Sequence, residues 1–322
     1  MRILFAGTPA IAVPALEALA AVHAEGGFCE LAGVLTNPDT AKGRHGVRTP
    51  SDVAAAVLRM PERIRPPVLK SETIDEDCVR NVDVIRAEIL VSFAYGALFP
   101  PEFLAMFPLG GINIHPSLLP KYRGAAPIPA AILNRDSETG ISIQRLTEEL
   151  DSGGILARQI IPLTGRETSA SLSAVTAEKS AALLVETLRR MAACEINETP
   201  QNHAESTFFD KLMREDGRIN WRQTALEIDA RIRAFTPWPL SYTRHGDAEL
   251  YILEAAPYAG PFAPDSPESA GKVLGADKNA GIIIQTGEGL LAVKRLQYST
   301  RKALDWKSFL NGARNFQGSI LE

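Results

Sequence analysis

The chain has 322 residues, too long for one ordinary core and suited to two domains, and its 45% hydrophobic and 22% charged content are globular averages. No apolar run reaches the about 18 residues that span a bilayer, and a net charge of −4 excludes a uniformly basic nucleic-acid binder while leaving room for a local basic patch. Three cysteines (Cys29, Cys78, Cys194), an odd number without a CxxC pair, argue against a disulfide framework and a cysteine zinc site, and read as reduced, buried or incidental thiols of a cytoplasmic protein.

Residues 1–22 are apolar and Ala-rich and carry Arg2, which also suits a secretory signal. Gly7-Thr8-Pro9 breaks that run early, and Glu17 sits inside its would-be core. Residues 2–6 therefore read better as a first buried strand, with Thr8 as N-cap and Pro9 as the first residue of a helix. Further strands are expected at residues 30–36, 89–93, 111–115, 141–146 and 159–163. Helical spacing separates them, as at Val13, Leu16 and Ala20. A longer helix is expected from about Ser171 to Met191, with Leu172, Val175, Leu184, Leu188 and Met191 on one side. Strands alternating with helices predict βαβ units and a mainly parallel α/β sheet.

The pattern changes at residues 198–206, where polar residues and Pro200 interrupt it, and the domain boundary is placed near residue 205. Short β-like runs follow at residues 250–253, 281–285 and 290–293, with a Pro/Gly/Ser-rich loop at 259–270. Short strands without helices between them suggest a small all-β barrel or sandwich. Internal repeats are absent.

Five segments could carry chemistry or binding. The polar stretch 37–49 contains Lys42, Arg44, His45 and Arg48 and follows the second strand. It is either a mobile surface loop or one that orders against phosphates. The apolar strand 89–93 ends in Ala94-Tyr95-Gly96, whose exposed backbone could bind a planar heterocycle, unless Tyr95 is simply an interior aromatic. Asn113 and His115 lie two apart on a strand and so point to one face. Pro116 holds His115 extended, and in an open α/β sheet ligands bind beyond the carboxyl ends of strands. An amide and an imidazole would thus project together, both able to donate to a developing oxyanion. A turn-forming Asn and a satisfied core His are the bland alternative. Asp151, before Ser152-Gly153-Gly154, is a turn residue that could accept or orient a proton at the crevice edge. Finally, residues 290–314 hold six basic residues (Lys294, Arg295, Arg301, Lys302, Lys307, Arg314) against Asp305 alone, which is either a solvated face or a basic patch.

The block Asn113-Ile114-His115-Pro116-Ser117-Leu118-Leu119-Pro120-Lys121-Tyr122-Arg123-Gly124 resembles the formyltransferases that use 10-formyltetrahydrofolate. Gly124-Ala125-Ala126-Pro127-Ile128, Phe5-Ala6-Gly7-Thr8-Pro9, Asp216-Gly217-Arg218-Ile219-Asn220-Trp221 and Arg233-Ala234-Phe235-Thr236-Pro237-Trp238-Pro239 resemble the methionyl-tRNA formyltransferase branch, and the likeness extends past Lys294-Arg295-Leu296-Gln297. The resemblance implies a Rossmann-like domain (1–205) for folate and chemistry, and a smaller OB-like β-barrel domain (206–322) that helps hold tRNA. It implies Asn113, His115 and Asp151 as the catalytic trio. Ser117, Leu118, Leu119 and Pro120 match the folate-binding stretch, and Phe93, Ala94, Tyr95 and Gly96 the pterin-binding strand end. Arg44, flanked by Lys42 and Arg48, matches a loop arginine used near the tRNA acceptor stem. His45-Gly46-Val47 dilutes the denser basic run that many relatives have there.

The implied reaction moves a formyl group from 10-formyltetrahydrofolate to the α-amine of methionyl initiator tRNA, in the cytoplasm, by a monomer and without a metal. No HExxH, no P-loop GxxxxGK[ST] and no GxGxxG after the first strand occur, so neither ATP nor a dinucleotide is expected. An amino-sugar-nucleotide formyltransferase would share the Asn-x-His and Ser-Leu-Leu-Pro stretches. The Ala125-Ala126-Pro127-Ile128 motif and the C-terminal basic cluster argue against it. A purine-pathway formyltransferase would leave residues 207–322 unexplained, and a non-catalytic folate- or RNA-binding module would have no use for an intact trio.

Overall fold

The computed structural model describes residues 1–42, 46–313 and 315–322. By its internal contacts the chain divides into two compact units. The first comprises Met1–Pro127, Glu138–Pro162 and Ser173–Phe209, the second Ile128–Ser137, Leu163–Leu172 and Asp210–Glu322.

The first unit is built on a seven-stranded sheet. Its strands are β1 (Arg2–Gly7), β2 (Glu30–Thr36), β5 (Val68–Lys70), β6 (Ile89–Phe93), β7 (Gly111–His115), β8 (Glu138–Arg145) and β9 (Ile155–Pro162), while β3 (Thr40–Lys42) and β4 (Val47–Thr49) form a separate hairpin. The sheet order is β5-β2-β1-β6-β7-β8-β9. The pairs from β5 to β7 are parallel, and β7–β8 and β8–β9 are antiparallel. The central strands are near-continuous apolar runs because both faces are covered: all five residues of Ile89–Phe93 are buried. The strand order reverses between β1 and β6, so the crevice at this switch point opens beyond Gly7 and Phe93. Helices α1 (Val13–Ala24), α2 (Asp52–Arg59) and α3 (Glu76–Ile85) connect the parallel strands. Ser51 and Asp75 cap the last two, each accepting a backbone N–H of the first turn.

Thr8 does not cap the first helix. Pro9 is extended, with φ −82 and ψ 170, a short 3-10 turn follows at Ala10–Ala12, and the proline in the opening turn of α1 is Pro14. The Thr8 hydroxyl is used elsewhere, donating to the Tyr95 carbonyl and accepting from the Asn37 N–H, so it ties together the chain after β1, β2 and β6. The strands expected at 141–146 and 159–163 begin earlier. The early part of β8 holds Glu138, Thr139 and Gly140, and that of β9 holds Arg158, small or polar residues that blur the apolar signal although Thr139 and Gly140 are buried.

In the second unit β10 (Ser241–His245), β11 (Ala248–Tyr258), β12 (Val273–Asp277), β13 (Gly281–Gln285) and β14 (Leu290–Tyr298) form an antiparallel sheet in the order β10-β11-β14-β13-β12, with β15 (Leu304–Asp305) added against β14. Between α3 and this sheet the chain also forms α4 (Pro101–Leu104), α5 (Pro127–Leu133), α6 (Ser169–Ala192) and α7 (Ala225–Ala234). The Thr224 and Glu227 side chains box the N-terminus of α7. Ile228 and Ile232 of that helix pack with Leu250, Ile252, Ile282, Leu291 and Val293 in one apolar core. Among the described residues, no helix is long and apolar enough to cross a membrane.

Candidate active site

Strand β7 delivers Asn113 and His115 to the end of the sheet. Across the antiparallel ladder Asn113 stands opposite Gln144 and His115 opposite Ser142, so one face of two strands is polar and largely buried. The same polar face meets Asp151 from the turn between β8 and β9. Asp151 adopts φ 53, a left-handed conformation that Asp and Asn reach more readily than most residues. Gly153, two residues on, is required by close approach: a Cβ there would lie 2.0 Å from the Arg145 carbonyl oxygen.

The Asp151 carboxylate is buried and shared. Its Oδ1 accepts from Gln144 Nε2 at 2.8 Å, lies 3.4 Å from Asn113 Nδ2 and stands 3.5 Å from His115 Nδ1. Its Oδ2 accepts the Gly124 backbone N–H at 2.9 Å. His115 Nε2 points the other way, 2.8 Å from the Tyr122 carbonyl. The imidazole, 3% exposed, thus lies between the Asp151 carboxylate on one side and the Tyr122 carbonyl on the other. The expected trio therefore converges on one carboxylate. Sequence reasoning missed Gln144, the Gly124 amide and the Tyr122 carbonyl. The alternation Ile141-Ser142-Ile143-Gln144 was the available signal for Gln144, but nothing local tells a buried polar face from a solvated one.

The segment after β7 folds back on itself. Ser117 donates its hydroxyl to the Lys121 carbonyl, Ser142 donates to the Ser117 carbonyl, and the Leu119 N–H donates to Ser142. Ser117 and Leu119 are buried, while Leu118 and Pro120 are half-buried. Arg158 holds the Leu119 carbonyl at 2.6 Å. At the end of β6, Phe93 and Tyr95 are turned inward. The Tyr95 ring stacks on Phe99 and its hydroxyl donates to the Ser71 carbonyl at 2.7 Å, so the interior reading holds for that side chain. Burial, with Cys78 and Asp75 nearby, raises its phenol above the ordinary value. Ala94 and Gly96 are exposed and of positive φ, and nothing lies within 4 Å of a Cβ built on Gly96. Backbone rather than side chains is therefore open at this strand end.

The basic residues fall in two places. Lys42 ends β3, Arg48 is exposed on β4, and Arg44 lies outside the described residues. In the second unit Lys294, Arg295, Arg301 and Lys302 are all exposed. Arg301 stacks over Tyr298 at 5.9 Å, and Lys294 lines an 830 Å³ cavity together with Arg135, Arg166 and Arg233. Cys29 and Cys78 are buried free thiols and Cys194 is an exposed one. Among the described residues no group of three or more His, Cys, Asp or Glu side chains is placed to hold a metal ion.

The formyl transferase family model matches residues 1–188, and the model of the formyl transferase C-terminal domain matches residues 211–314. The chain belongs to the formyl transferase family. As a formyltransferase it is similar at 44% identity, over 98% of both chains, to a methionyl-tRNA formyltransferase of Treponema denticola. A protein of the same name from Roseiflexus castenholzii is 38% identical over 95% of both chains. Among solved structures, a sugar 3N-formyl transferase, WlaRD, shares the fold at TM-score 0.63 and 19% identity, covering 94% of this chain and 99% of that one. HypX of Aquifex aeolicus, solved in complex with tetrahydrofolic acid, gives TM-score 0.63 at 16% identity, and this chain spans 48% of its length.

Proposed function

We propose that this formyltransferase carries the formyl group of 10-formyltetrahydrofolate to the α-amine of methionyl initiator tRNA, the step that prepares the tRNA for translation initiation. The observation that carries the chemistry is the meeting of Asn113 and His115 at one oxygen of Asp151. The acceptor rests on near-full-length likeness to relatives named for that reaction.

The neutral amine attacks the formyl carbon, forming the new C–N bond and a tetrahedral oxyanion. Asn113 Nδ2 and an N–H of His115 stabilise that charge, each such donor being worth about 10²–10³ in rate. The present partner of His115 Nε2 is a neutral carbonyl, and an oxyanion competes well against it because charge-assisted hydrogen bonds are roughly twice as strong. The amine proton passes by way of Asp151 and His115, directly or through water, to N10 of the folate. The C–N10 bond then breaks, releasing formylmethionyl-tRNA and tetrahydrofolate.

Residues 1–205 supply this chemistry. The open backbone at Ala94 and Gly96 suits a planar pterin, and Phe93, Tyr95, Ser117, Leu118, Leu119 and Pro120 shape its surroundings. Residues 206–322 help to hold the tRNA. Lys42, Arg44 and Arg48, and separately Lys294, Arg295, Arg301 and Lys302, are assigned to its phosphates. The enzyme works as a monomer in the cytoplasm.

The test is direct. The protein is mixed with 10-formyltetrahydrofolate and offered charged initiator tRNA or an amino-sugar nucleotide. Formylmethionyl-tRNA as the sole product supports the reading, whereas formylation of the sugar alone refutes it.

A further inference from the structure

The Asp151 carboxylate takes its shortest side-chain hydrogen bond from a residue outside the trio. Gln144 Nε2 lies 2.8 Å from Oδ1, against 3.4 Å for Asn113 and 3.5 Å for His115. Gln144 is 1% exposed, so its amide has no water to fall back on.

The direction of that amide is fixed by a chain of partners. Arg123, also 1% exposed, has only donors, and its Nη2 and Nε lie 2.8 and 3.3 Å from Gln201 Oε1. Gln201 must therefore present its NH₂ on the other side. There it reaches the Asp151 carbonyl at 2.9 Å, the Gly153 carbonyl at 2.7 Å and Gln144 Oε1 at 3.2 Å. With its oxygen occupied by Gln201, Gln144 must turn its own NH₂ to the carboxylate. A flipped Gln144 would set two oxygens together at Asp151 and two NH₂ groups together at Gln201. An arginine with no acceptor thus dictates, two amides away, that Asp151 receives a donor. The same Gln201 amide also grips the backbone of the turn that holds Asp151 at positive φ.

We infer that Gln144, oriented by Gln201 and Arg123, is a positioning residue that keeps the Asp151 carboxylate aimed at His115. This rests on the reading of Asp151 as a catalytic group. A donor on the charged form lowers a carboxyl's proton affinity, and without it only the Gly124 N–H and the longer Asn113 contact oppose rotation of the carboxylate.

Gln144→Met keeps the buried volume and removes the donor. Its kcat should fall at least about tenfold, with KM for both substrates within about twofold of wild type. The acidic limb of the kcat profile should move up by about one pH unit, the amount expected for one hydrogen bond to a charged group. Gln144→Glu places a second carboxylate on Oδ1 and should move the limb up further, because the two groups then share a proton. It also decides the matter if Gln144→Met does not fold. Limbs that stay in place in the folded variants overturn the inference, since a purely structural glutamine would alter melting and not the pH profile. Asp151→Asn is measured alongside. If it is inactive while the Gln144 limbs stay put, positioning fails alone; if it retains wild-type turnover, the reading of Asp151 fails first.

Discussion

Asn113 and Gln144 face each other across the β7–β8 ladder and aim at the same carboxylate oxygen of Asp151, the amide of Gln144 at 2.8 Å and that of Asn113 at 3.4 Å. The buried member is hydrogen-bonded at full strength, and the partly exposed one is loosely held. A group that must leave its resting partner for a developing charge is better loosely held. Asn113→Ala should therefore cut single-turnover formyl transfer by about 10²–10³ and leave thermal melting within a degree or two of wild type, near the size of a minor surface change. Turnover at the wild-type level in folded protein would remove Asn113 from the chemistry.

Asp151→Asn is the informative change at the centre of the site. Asn tolerates the left-handed backbone at φ 53, whereas Ala would add strain and confuse the result. The amide can still accept the Gly124 N–H but cannot hold a proton for His115. Activity should be almost abolished while folate binding, followed by fluorescence titration, stays close to wild type.

Gly124 joins the site through its backbone. It sits at φ +101, and a Cβ there would lie 2.7 Å from the Phe209 carbonyl oxygen. Gly124→Ala should destabilise the protein by roughly 1–3 kcal/mol, the usual cost of such backbone strain. It should also lower kcat, because relief of the clash carries the N–H away from Asp151 Oδ2. Denaturant midpoint and turnover are expected to fall together, and a midpoint change without loss of turnover would show the amide to be dispensable.

The assignment of basic residues to tRNA phosphates predicts a salt signature. Arg44→Ala and Arg295→Ala should each weaken tRNA binding and reduce the slope of log affinity against log salt by about 0.9 for each duplex phosphate that is no longer neutralised. Measured from about 50 to 200 mM salt, where counterion release changes affinity strongly, an unchanged slope would return that side chain to an ordinary solvated surface.

At the start of α7 the Glu227 carboxylate is held below its usual range by the Thr224 N–H and hydroxyl, against a smaller opposing effect of burial and with help from Arg135. A depressed carboxylate contributes stability above its unfolded value and loses it as pH falls through its folded value. Thr224→Ala should therefore cost about 1 kcal/mol near pH 7, the typical worth of an N-cap. The gap to wild type should narrow as acid titrates Glu227, and equilibrium unfolding at several pH values measures it.

Much of this protein is written locally. The apolar run Ile89–Phe93, the Asn-x-His pair at the end of β7 and the turn residues around Asp151 are legible because strand burial, two-residue alternation and turn chemistry act between near neighbours. Other features depend on what stands opposite, and no local pattern carries that. Thr8 had the right type for an N-cap, but its hydroxyl is claimed by Tyr95 and Asn37 from other strand ends. Tyr95 could have faced a ligand or the interior, and the Ser71 carbonyl and the Phe99 ring decide for the interior. Gln144 reads as one polar residue of an alternating strand until Asn113, Asp151 and Gln201 arrive from 31, 7 and 57 positions away to make it a buried donor of fixed direction. Sequence by itself determined which residues could form strands and which side chains share a face. Only the tertiary structure decided which of those side chains meet, because a hydrogen bond across a sheet depends on register and on distant partners rather than on the residues beside it.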